Sequence, residues 1–585
     1  MKNAFNECSR TAFFERVAED FPEISAWVKW CYSQPAELRF GSRRIMASSG
    51  VQQGDPLGLL LFSLVLLQFI DFVKLHDLVK LHLWYLDDGT FIGSKSSLLK
   101  LLDSFSIHGP RFGLHLNLSK CELFWPSGDS FSEFPTSINR AGEGLELLGS
   151  YIWGTDNFFD QFLFSRLAKV TAAQDSIAIL EDPQVELHLL RSCLGSCKII
   201  HLLRTVPFCI LHSFLEQFDS NLKSCLSRII QCSLPNDSWC QATLPFRLGG
   251  LGLRSSFSSA ATAFLGSCNS VSLLASHLLS QDFHDLVFPN EEHAVATFER
   301  FTSDIFIPSA TQQDLQALLD QNQYDQLFAS FNVRNRARLT ALSHSSGTSS
   351  GWLKAIPQVS LALAIPGPEF VVGLRLWLGI PLFPLSPLCV CLTSIDQFGD
   401  HLLECSHGPM RIRRHDALVD IVYHALSQSH SGVLKEQRVS YEDNSRPGDV
   451  YHPDFQHGRA AYFDVSVRST TQPSHISFSS CAGVAAAAGE LAKDQRHQDA
   501  VEEAGCDFVP LVVETFGFWS PFALQTLRTI AERTTARSGA STKQACKHLL
   551  QQLSVSLWTN NARMILRYWA LQCEDSDFPF PKPLL

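Results

Sequence analysis

The chain has 585 residues, of which 45% are hydrophobic and 18% are charged, and its net charge is −11. This composition excludes disorder over most of the chain, because several apolar cores can form, and the length favours about four domains. The acidic balance also excludes a chain that binds nucleic acid over its whole surface, although local basic tracks remain compatible with it.

Cysteine usage and hydropathy indicate where the chain resides. Its 17 cysteines are scattered, which favours a reducing compartment with buried thiols, and Cys193 and Cys197 are predicted to be core residues of an apolar stretch. The first residues, MKNAFNECSR, lack the apolar segment of a signal peptide. The uncharged run 56–70 has 15 residues, fewer than the roughly 20 that span a bilayer. We therefore expect an intracellular protein, nuclear or cytoplasmic, that is neither secreted nor embedded in a membrane.

The pattern along the chain predicts a mixed α/β multidomain protein. Apolar residues at spacings of three and four indicate helices, and period-two runs indicate strands. Clustered prolines in PLFPLSP mark a linker, because they fit neither helices nor central strands. The predicted segments are an α/β region (1–155), a helical region (156–300), a connector ending in the linker (301–388), a Cys/His segment (389–415), a second α/β region (416–520) and a helical basic tail (521–585).

The segment 80–93, KLHLWYLDDGTFIG, predicts a hairpin with two carboxylates at its turn. Apolar and polar residues alternate up to Asp87 and Asp88, a glycine follows, and β-prone residues resume. Adjacent like charges repel, and a magnesium ion shared with phosphate oxygens would resolve that repulsion. The alternative is an ordinary polar turn, since Asp-Asp-Gly favours turns in any case.

Upstream, the segment SSGVQQGDPLGLLLFSLVLLQFI predicts a small-residue loop followed by a helix. Asp55 is expected to cap a helix whose first residue is Pro56. The loop 49–54 would let a flat ligand such as a base pair approach the backbone. The alternative is a well-capped core helix without a ligand.

These segments together resemble the reverse transcriptases of non-LTR retrotransposons. The matching motifs are KNAFN (2–6), GVQQGDPLG (50–58), YLDDG (85–89), GLHLNLSKCE (113–122) and LELLGSYIWG (145–154). The resemblance implies a right-hand polymerase fold, with a palm over 1–155 and a helical thumb over 156–300. It implies that Asp87 and Asp88 are two of three carboxylates that hold two Mg²⁺ ions. It also implies that Lys120 neutralises or protonates the leaving pyrophosphate.

The resemblance assigns residues that face the nucleotide as well. Phe5 matches the aromatic residue that excludes a ribose 2′-hydroxyl, and Gln53 and Gly54 match the loop that holds template and incoming base. In the family, the first metal-binding aspartate stands five residues before that aromatic residue. Five residues before Phe5 falls one position before Met1, and the fingers, which precede it, are also missing. We therefore expect the chain as written to be defective as a polymerase.

A second group of candidate residues lies in LCVCLTSIDQFGDHLLECSHGP. Cys389, Cys391, His401 and Cys405 give a spacing that suits a tetrahedral structural zinc. His407 could replace a neighbour, and loose cysteines in a small core are the alternative. The segment resembles the Cys/His knuckle between polymerase and nuclease of some non-LTR elements. The basic run 411–415 that follows would suit phosphate contacts or a solvated helix start.

A third group lies in RPGDVYHPDFQHGRAAYFDVSVR and in the helix pattern that follows it. Asp449 in a turn, Asp464 in a strand and Lys493 on a helix could bind Mg²⁺ and position a water for phosphodiester cleavage. Asp454 competes with Asp449 for the first position, and Glu436 is a weaker candidate for an early acid. A fold retained without cleavage is the alternative.

The third group resembles the restriction-like endonuclease of non-LTR elements, of the PD-(D/E)xK type. The motifs RPGDV, FDVSV, the stretch 490–493 and PLVVETFG carry the likeness. The simple pattern would place lysine at Ser466, and the resemblance allows it to move to the helix, at Lys493. Seven basic residues between 528 and 567, against the single acid Glu532, predict either a face that contacts nucleic acid or a solvated face.

The resemblance as a whole implies an RNA-directed DNA polymerase coupled to a DNA-nicking endonuclease. Its partners would be an RNA template, a DNA primer and target, and dNTPs, and its cofactors would be Mg²⁺ at both active sites and Zn²⁺ in the knuckle. The alternative function is a catalytically inactive nucleic-acid-binding remnant of such an element.

Overall fold

The computed structural model describes residues 1–125, 132–279, 288–345, 347–383, 386–438, 446–478, 480–539 and 541–572. The prediction of a mixed α/β protein is confirmed, with helices as the main component and small sheets between them. The chain divides into two compact units. The smaller unit comprises 1–145 and 153–155, and the larger unit comprises 146–152 and 156–585. Within the described residues, no helix is both long and apolar enough to cross a membrane.

The smaller unit is built from short helices and three two-stranded sheets. The pairs β1–β2 and β3–β4 are antiparallel, and β5–β6 is parallel. Its elements in chain order are α1 (Ala4–Glu7), α2 (Arg10–Asp20), α3 (Pro22–Tyr32), β1 (Ala36–Phe40), β2 (Arg43–Ala47), α4 (Gly58–Phe72), α5 (Leu75–Leu78), β3 (Leu81–Tyr85), β4 (Asp88–Ile92), α6 (Lys95–His108), β5 (Glu122–Leu123) and β6 (Asn139–Arg140). The boundary between the units runs through β7 (Gly144–Leu147) and β8 (Ser150–Gly154).

The core of the smaller unit lies around α4, which is the buried helix predicted from the uncharged run. The helix begins at Gly58 and not at Pro56, so the predicted start is wrong by two residues. The Asp55 carboxylate instead accepts a hydrogen bond from the Leu57 amide (2.9 Å) and one from the Tyr32 hydroxyl. Asp55 therefore fixes the turn before the helix, because its carboxylate is already held on both sides.

The predicted hairpin is confirmed as β3 and β4, joined by the two residues Leu86 and Asp87. Leu86 has a φ of 56°, the left-handed conformation that a tight hairpin turn requires at this position. Trp84 is the cross-strand partner of Gly89, and its indole occupies the space that a Cβ at Gly89 would need. The glycine of the YLDDG motif is therefore required by packing across the hairpin.

The larger unit is mostly helical and contains one four-stranded sheet. Its elements in chain order are α7 (Asp156–Ser176), α8 (Pro183–Ser192), α9 (Ile200–Thr205), α10 (Phe208–Ile229), α11 (Asn236–Thr243), α12 (Ser256–Leu279), α13 (Glu291–Thr302), α14 (Gln312–Ser330), α15 (Val333–Ser343), α16 (Gly351–Lys354), α17 (Gly367–Leu378), α18 (Asp400–Glu404), α19 (Met410–Ser429), β9 (Leu434–Lys435), β10 (Val450–Gln456), β11 (Arg459–Arg468), α20 (Pro473–Ile476), α21 (Val484–Glu503), β12 (Asp507–Glu514), α22 (Pro521–Ser538) and α23 (Thr542–Gln572).

One hydrophobic core joins distant parts of this unit, from Phe162 on α7 to Tyr568 on α23. Trp352, Trp377 and Trp558 lie at its centre, with the rings of Trp352 and Trp558 stacked at 5.0 Å between centroids. Cys193 and Cys197, predicted to be core residues, are exposed. That prediction is wrong because α8 ends at Ser192: Cys193 directly follows the helix and Cys197 lies in a short 3-10 turn, both outside the buried helix face.

The sheet of the larger unit has the strand order β12-β11-β10-β9. Strands β11 and β12 are parallel, and α21 lies between them in sequence, as a parallel connection requires. Strand β10 is antiparallel to both β11 and β9. A second hydrophobic core, formed with α19, α22 and α23, covers the sheet. The strands predicted around Asp464 and over 508–513 are thus present as β11 and β12.

We predict that Gly50→Ala destabilises the smaller unit more than Gly41→Ala. Both glycines have a similar positive φ, 64° at Gly50 and 59° at Gly41, so both substitutions should cost about 1–2 kcal/mol of backbone strain. A Cβ at Gly50 would also overlap the backbone of Phe5 and Asn6, whereas space at Gly41 is open. Overlap in a packed region should add about 1–3 kcal/mol. Urea unfolding followed by circular dichroism measures the difference, and equal midpoints for the two variants would contradict the prediction.

Candidate functional site

Two aspartates lie near each other at the end of the sheet where β10 begins. Asp449 stands directly before β10, and its amide donates to the Phe463 carbonyl (2.8 Å), next to Asp464. The Asp449 carboxylate in turn accepts a hydrogen bond from the Val465 amide (2.7 Å). The antiparallel register of the two strands therefore places the Asp449 carboxylate beside the residue that follows Asp464.

Lys493 provides the counter-charge for Asp464. The Lys493 ammonium, on α21, lies 3.0 and 2.8 Å from the two carboxylate oxygens of Asp464. Asp464 is only 7% exposed, and burial raises its pKa, an effect that Lys493 opposes. The structure thus brings together the three residues Asp449, Asp464 and Lys493, and Lys493 reaches the strand from a neighbouring helix.

His415 is a fourth member of this group that sequence reasoning placed in a basic run. Its Nε2 lies 3.2 Å from Asp449, and its Nδ1 lies 3.2 Å from Asp416. The hydrogen bond with Asp449 raises the pKa of His415 to about 9, so the imidazolium is favoured at neutral pH. No sequence spacing connects position 415 with position 449, so only the packing of α19 beside the sheet reveals the contact.

The competing acids lie elsewhere. Asp454 is an exposed residue of β10. It lies between His452 and Gln456, whose partners on β11 are Ala461 and Arg459, and so it is not opposite Asp464. Its backbone carbonyl accepts a hydrogen bond from Arg533. The Glu436 carboxylate pairs with Arg446. On α21, Glu490 accepts a hydrogen bond from the Ser520 hydroxyl at the start of α22, and burial raises the Glu490 pKa. The partners of Glu436 and Glu490 are thus Arg446 and Ser520, and neither partner belongs to the pair formed by Asp464 and Lys493.

The Cys/His segment forms a compact group that could hold a metal ion such as zinc. The ligand atoms of Cys389, Cys391, His401 and Cys405 all lie within 4.8 Å of one another. The two sulfurs of Cys389 and Cys405 are 3.7 Å apart, and the Cys391 sulfur is 3.2 Å from the His401 Nε2. Tetrahedral zinc with ordinary bond lengths separates its ligand atoms by about 3.5–3.8 Å, so the arrangement fits. His407 is exposed and does not belong to the group.

Local hydrogen bonds shape both halves of this segment. Leu392 has a φ of 64°, and the Cys389 amide donates to the Thr393 carbonyl (2.9 Å), which closes a tight turn around the first two cysteines. The Asp396 carboxylate accepts hydrogen bonds from the amides of Phe398 (2.8 Å) and His401 (3.1 Å). A turn over 398–400, with Gly399 in the left-handed conformation, separates the two ligand pairs in sequence and lets them come together.

The cysteine pKa values differ within the group. Hydrogen bonds from Thr393 lower the pKa of Cys391 to about 6, which favours the thiolate. Burial raises the pKa of Cys405 to about 11. A divalent cation would offset that burial, because coordination stabilises the thiolate form of every cysteine ligand.

The basic run after this segment divides into buried and exposed residues. Arg414 is buried, where it donates to Asn561 (2.7 Å) and to the Leu403 carbonyl (3.0 Å), and burial lowers its pKa to about 10. Its predicted contact with phosphate is therefore wrong, because its guanidinium is already engaged inside the protein. Arg411 and Arg413 are exposed.

In the smaller unit, backbone contacts bring separate sequence motifs together. The Val51 amide donates to the Phe5 carbonyl (2.7 Å), and the Lys2 amide donates to the His115 carbonyl (2.7 Å). The amino group of Met1 lies 3.3 Å from the carbonyl of Asp87 in the hairpin turn. The segments 2–6, 50–58, 85–89 and 113–122 are therefore neighbours in space.

Arg10 organises the loop between these motifs, and sequence reasoning missed it. Its guanidinium donates to the carbonyls of Gly50 (3.0 Å), Ala47 (3.1 Å) and Tyr32 (3.1 Å). Burial lowers its pKa. The carbonyls that accept these hydrogen bonds lie 22–40 residues from Arg10 in the sequence, so no local pattern could have indicated its role.

The predicted nucleotide-facing residues differ in exposure. The ring of Phe5 is half-buried and lies 4.5 Å from the ring of Phe62 on α4. Gln53, Gly54 and Lys120 are exposed, and Gly54 has a φ of 89° with open space beside it. Asp87 is half-buried in the turn, and Asp88 is exposed at the start of β4. The two aspartates are neighbours because they are consecutive in the sequence.

Comparison with known proteins gives no family for this chain. No protein-family model matches it, and no curated protein matches it at a significant level. The functional interpretation therefore depends on the motifs and on the geometry described above.

We predict that the full chain binds one zinc ion through the Cys/His group. Cys391→Ser and His401→Ala should each lower the zinc content well below one ion per chain, because each removes one of four ligands. Cys193→Ser, which changes an exposed cysteine outside the group, should leave it unchanged. Elemental analysis of purified protein measures the content. Full zinc occupancy in both ligand variants would refute the site.

Proposed function

We propose that the chain derives from a non-LTR retrotransposon reverse transcriptase and that its larger unit carries a DNA-nicking endonuclease of the PD-(D/E)xK type. The observation that carries this proposal is the group formed by Asp449, Asp464 and Lys493 at the junction of two strands and a helix. Two carboxylates with a nearby lysine can hold a divalent cation beside a scissile phosphate, which suits metal-dependent phosphodiester cleavage. The four-ligand Cys/His group is then the knuckle that precedes this domain.

The residues fit a magnesium site. Asp449 and Asp464 offer carboxylate oxygens, and Asp464 is buried with a raised pKa, so a divalent cation would stabilise its charged form. When bound, Mg²⁺ supplies a Lewis acid and lowers the pKa of a coordinated water. This site chemistry suits hydrolysis of a phosphodiester in DNA.

The protein side chains have separate tasks in this proposal. Lys493, held 2.8–3.0 Å from Asp464, offsets the negative charge that develops on the scissile phosphate. The Val465 amide and His415 both donate to the same oxygen of Asp449 and thereby fix the direction of its other oxygen. Asp449 and Asp464 are thus oriented before substrate binds, which lowers the reorganisation needed during reaction.

For the smaller unit we propose a polymerase palm in which Asp87 and Asp88 hold Mg²⁺ and Lys120 faces the leaving pyrophosphate. Supporting this, the motif that contains Phe5 adjoins the loop that contains Gln53 and Gly54 through the Val51 amide. The amino group of Met1 lies 3.3 Å from the Asp87 carbonyl, so the segment that contains Phe5 adjoins the hairpin turn that carries both aspartates. RNA template, DNA primer and dNTPs are the proposed ligands of this unit.

We predict that the full chain nicks supercoiled plasmid DNA with Mg²⁺ or Mn²⁺. Asp449→Asn and Asp464→Asn should each slow nicking about 10²–10⁴-fold, because each removes a metal ligand. Lys493→Met should slow nicking and spare DNA affinity, which is distributed over many basic residues. Asp454→Asn is the matched control and should nick normally.

The full chain is required for this assay because the larger unit shares one core from α7 to α23. Nicking that survives Asp449→Asn and is lost in Asp454→Asn would show that the chain is a nuclease whose first acidic residue is Asp454. Folded protein that binds DNA and never nicks it would leave only the catalytically inactive remnant.

We predict that primer extension on an RNA template with dNTPs depends on Asp87, because its carboxylate is a proposed Mg²⁺ ligand. In a protein that joins this chain to an upstream segment ending in aspartate, Asp87→Ala should abolish dNTP incorporation. In the same protein, Phe5→Ala should admit ribonucleotides. Incorporation that persists in Asp87→Ala would contradict the prediction, and continued exclusion of ribonucleotides by Phe5→Ala would remove Phe5 from its role.

A further inference from the structure

Two basic side chains from distant parts of the larger unit lie over one aromatic ring, and a third basic side chain interacts with one of them. The guanidinium carbon of Arg191, near the end of α8, lies 4.8 Å from the ring centroid of Phe246. The ammonium of Lys354, at the end of α16, lies 5.0 Å from the same centroid. Lys547, on α23, is close enough to interact electrostatically with Lys354. We call Arg191, Lys354 and Lys547 the basic cluster.

The basic cluster is unfavourable without a counter-ion. Burial lowers the pKa of Lys354, and the positive charges of Arg191 and Lys547 lower it further. Burial alone lowers the pKa of Arg191 to about 10. Phe246 offers only its weakly negative face, which compensates a cation less than a carboxylate does. Arg191 and Lys354 are thus partly desolvated like charges, and the exposed Lys547 adds a third positive charge close to Lys354.

The partners of these cations are neutral. Arg191 donates to the Leu353 carbonyl (3.2 Å), and its other terminal nitrogen lies 3.2 Å from the Nδ1 of His188. Burial and the charge of Arg191 both lower the pKa of His188, so this imidazole is neutral at physiological pH. Within the described part of the chain, no carboxylate forms an ion pair with any member of the basic cluster.

The scaffold beneath the basic cluster is packed and hydrogen-bonded. The amide of Trp352, two residues before Lys354, donates to the Ser554 hydroxyl on α23 (3.1 Å). Ser554 also donates to the Ser349 carbonyl (3.3 Å), and a Cβ at Gly351 would lie only 2.9 Å from the Ser554 Cβ. The contact between α16 and α23 therefore fixes the backbone that carries Lys354 relative to the helix that carries Lys547.

We propose that Arg191, Lys354 and Lys547 bind a phosphate group, either of a free polyphosphate or of a nucleic-acid backbone. Arg191 keeps N–H groups beyond the two that contact Leu353 and His188, and together with two ammonium groups they match the charge of phosphate oxygens. A bound phosphate would supply the negative charge that the cluster lacks. The proposal does not rest on the nuclease or polymerase assignments, because none of its residues belongs to those groups.

The test compares the full chain with Lys354→Gln/Lys547→Gln, which neutralises two exposed side chains. The probes are inorganic pyrophosphate and a short single-stranded RNA, measured by calorimetry at several salt concentrations. We expect at least a roughly tenfold loss of affinity in the double variant. For the RNA, the slope of log K against log salt should fall by about 1.4, the value for two lost phosphate contacts. Binding of pyrophosphate indicates a free anion as the ligand, and binding of RNA alone indicates backbone phosphates.

Two control variants separate specific binding from total charge. Lys169→Gln removes an exposed lysine on α7 of the same unit and should leave affinity and salt slope unchanged. Lys354→Arg/Lys547→Arg keeps both charges and should retain binding within a few-fold. Affinity and slope of the glutamine double variant equal to those of the unchanged protein would overturn the proposal. Failure of the unchanged protein to bind either probe would overturn it as well.

Discussion

Burial of α23 is the interaction on which the larger unit depends. Near its middle, Trp558 stacks on Trp352 and packs beside Trp377, so the helix fills the centre of the core. Close by, Asn561 donates to the Thr515 carbonyl (2.8 Å) just after β12 and accepts a hydrogen bond from Arg414. One helix thus contacts the helical region, the sheet and the segment that follows the Cys/His group.

The same helix also stabilises the region around the Cys/His group. The ring of Trp569 stacks on Phe383 at 5.0 Å with an interplanar angle of 9°, and the Tyr568 hydroxyl donates to the Leu388 carbonyl (3.4 Å). On the other side, Arg334 forms a two-point ion pair with Asp400 at 2.6 and 2.8 Å and covers the Phe398 ring. The turn that carries His401 is therefore held in place from two directions, which favours a preformed metal site.

Local patterns in the sequence predicted local structure well. The hairpin β3–β4 follows from period-two alternation and a turn sequence, and β11 and β12 follow from apolar β-branched runs. The spacing of the Cys/His residues predicted a group that the fold does bring together. What local patterns could not predict is which distant residues meet: His415 reaches Asp449, Arg10 reaches Gly50, and Arg414 turns inward. These contacts depend on helix packing and strand register, which only the complete fold determines.

The sequence separation between α23 and the residues it packs against has a consequence for synthesis. A ribosome makes α23 about 200 residues after Trp352, so Trp352, Trp377 and the rest of the core must wait for this helix during translation. The contacts they then form span about 200 residues, a separation that slows folding and leaves apolar surface open to chaperones meanwhile. A stop codon shortly before 542 would therefore leave earlier helices without their core rather than simply shorten the protein.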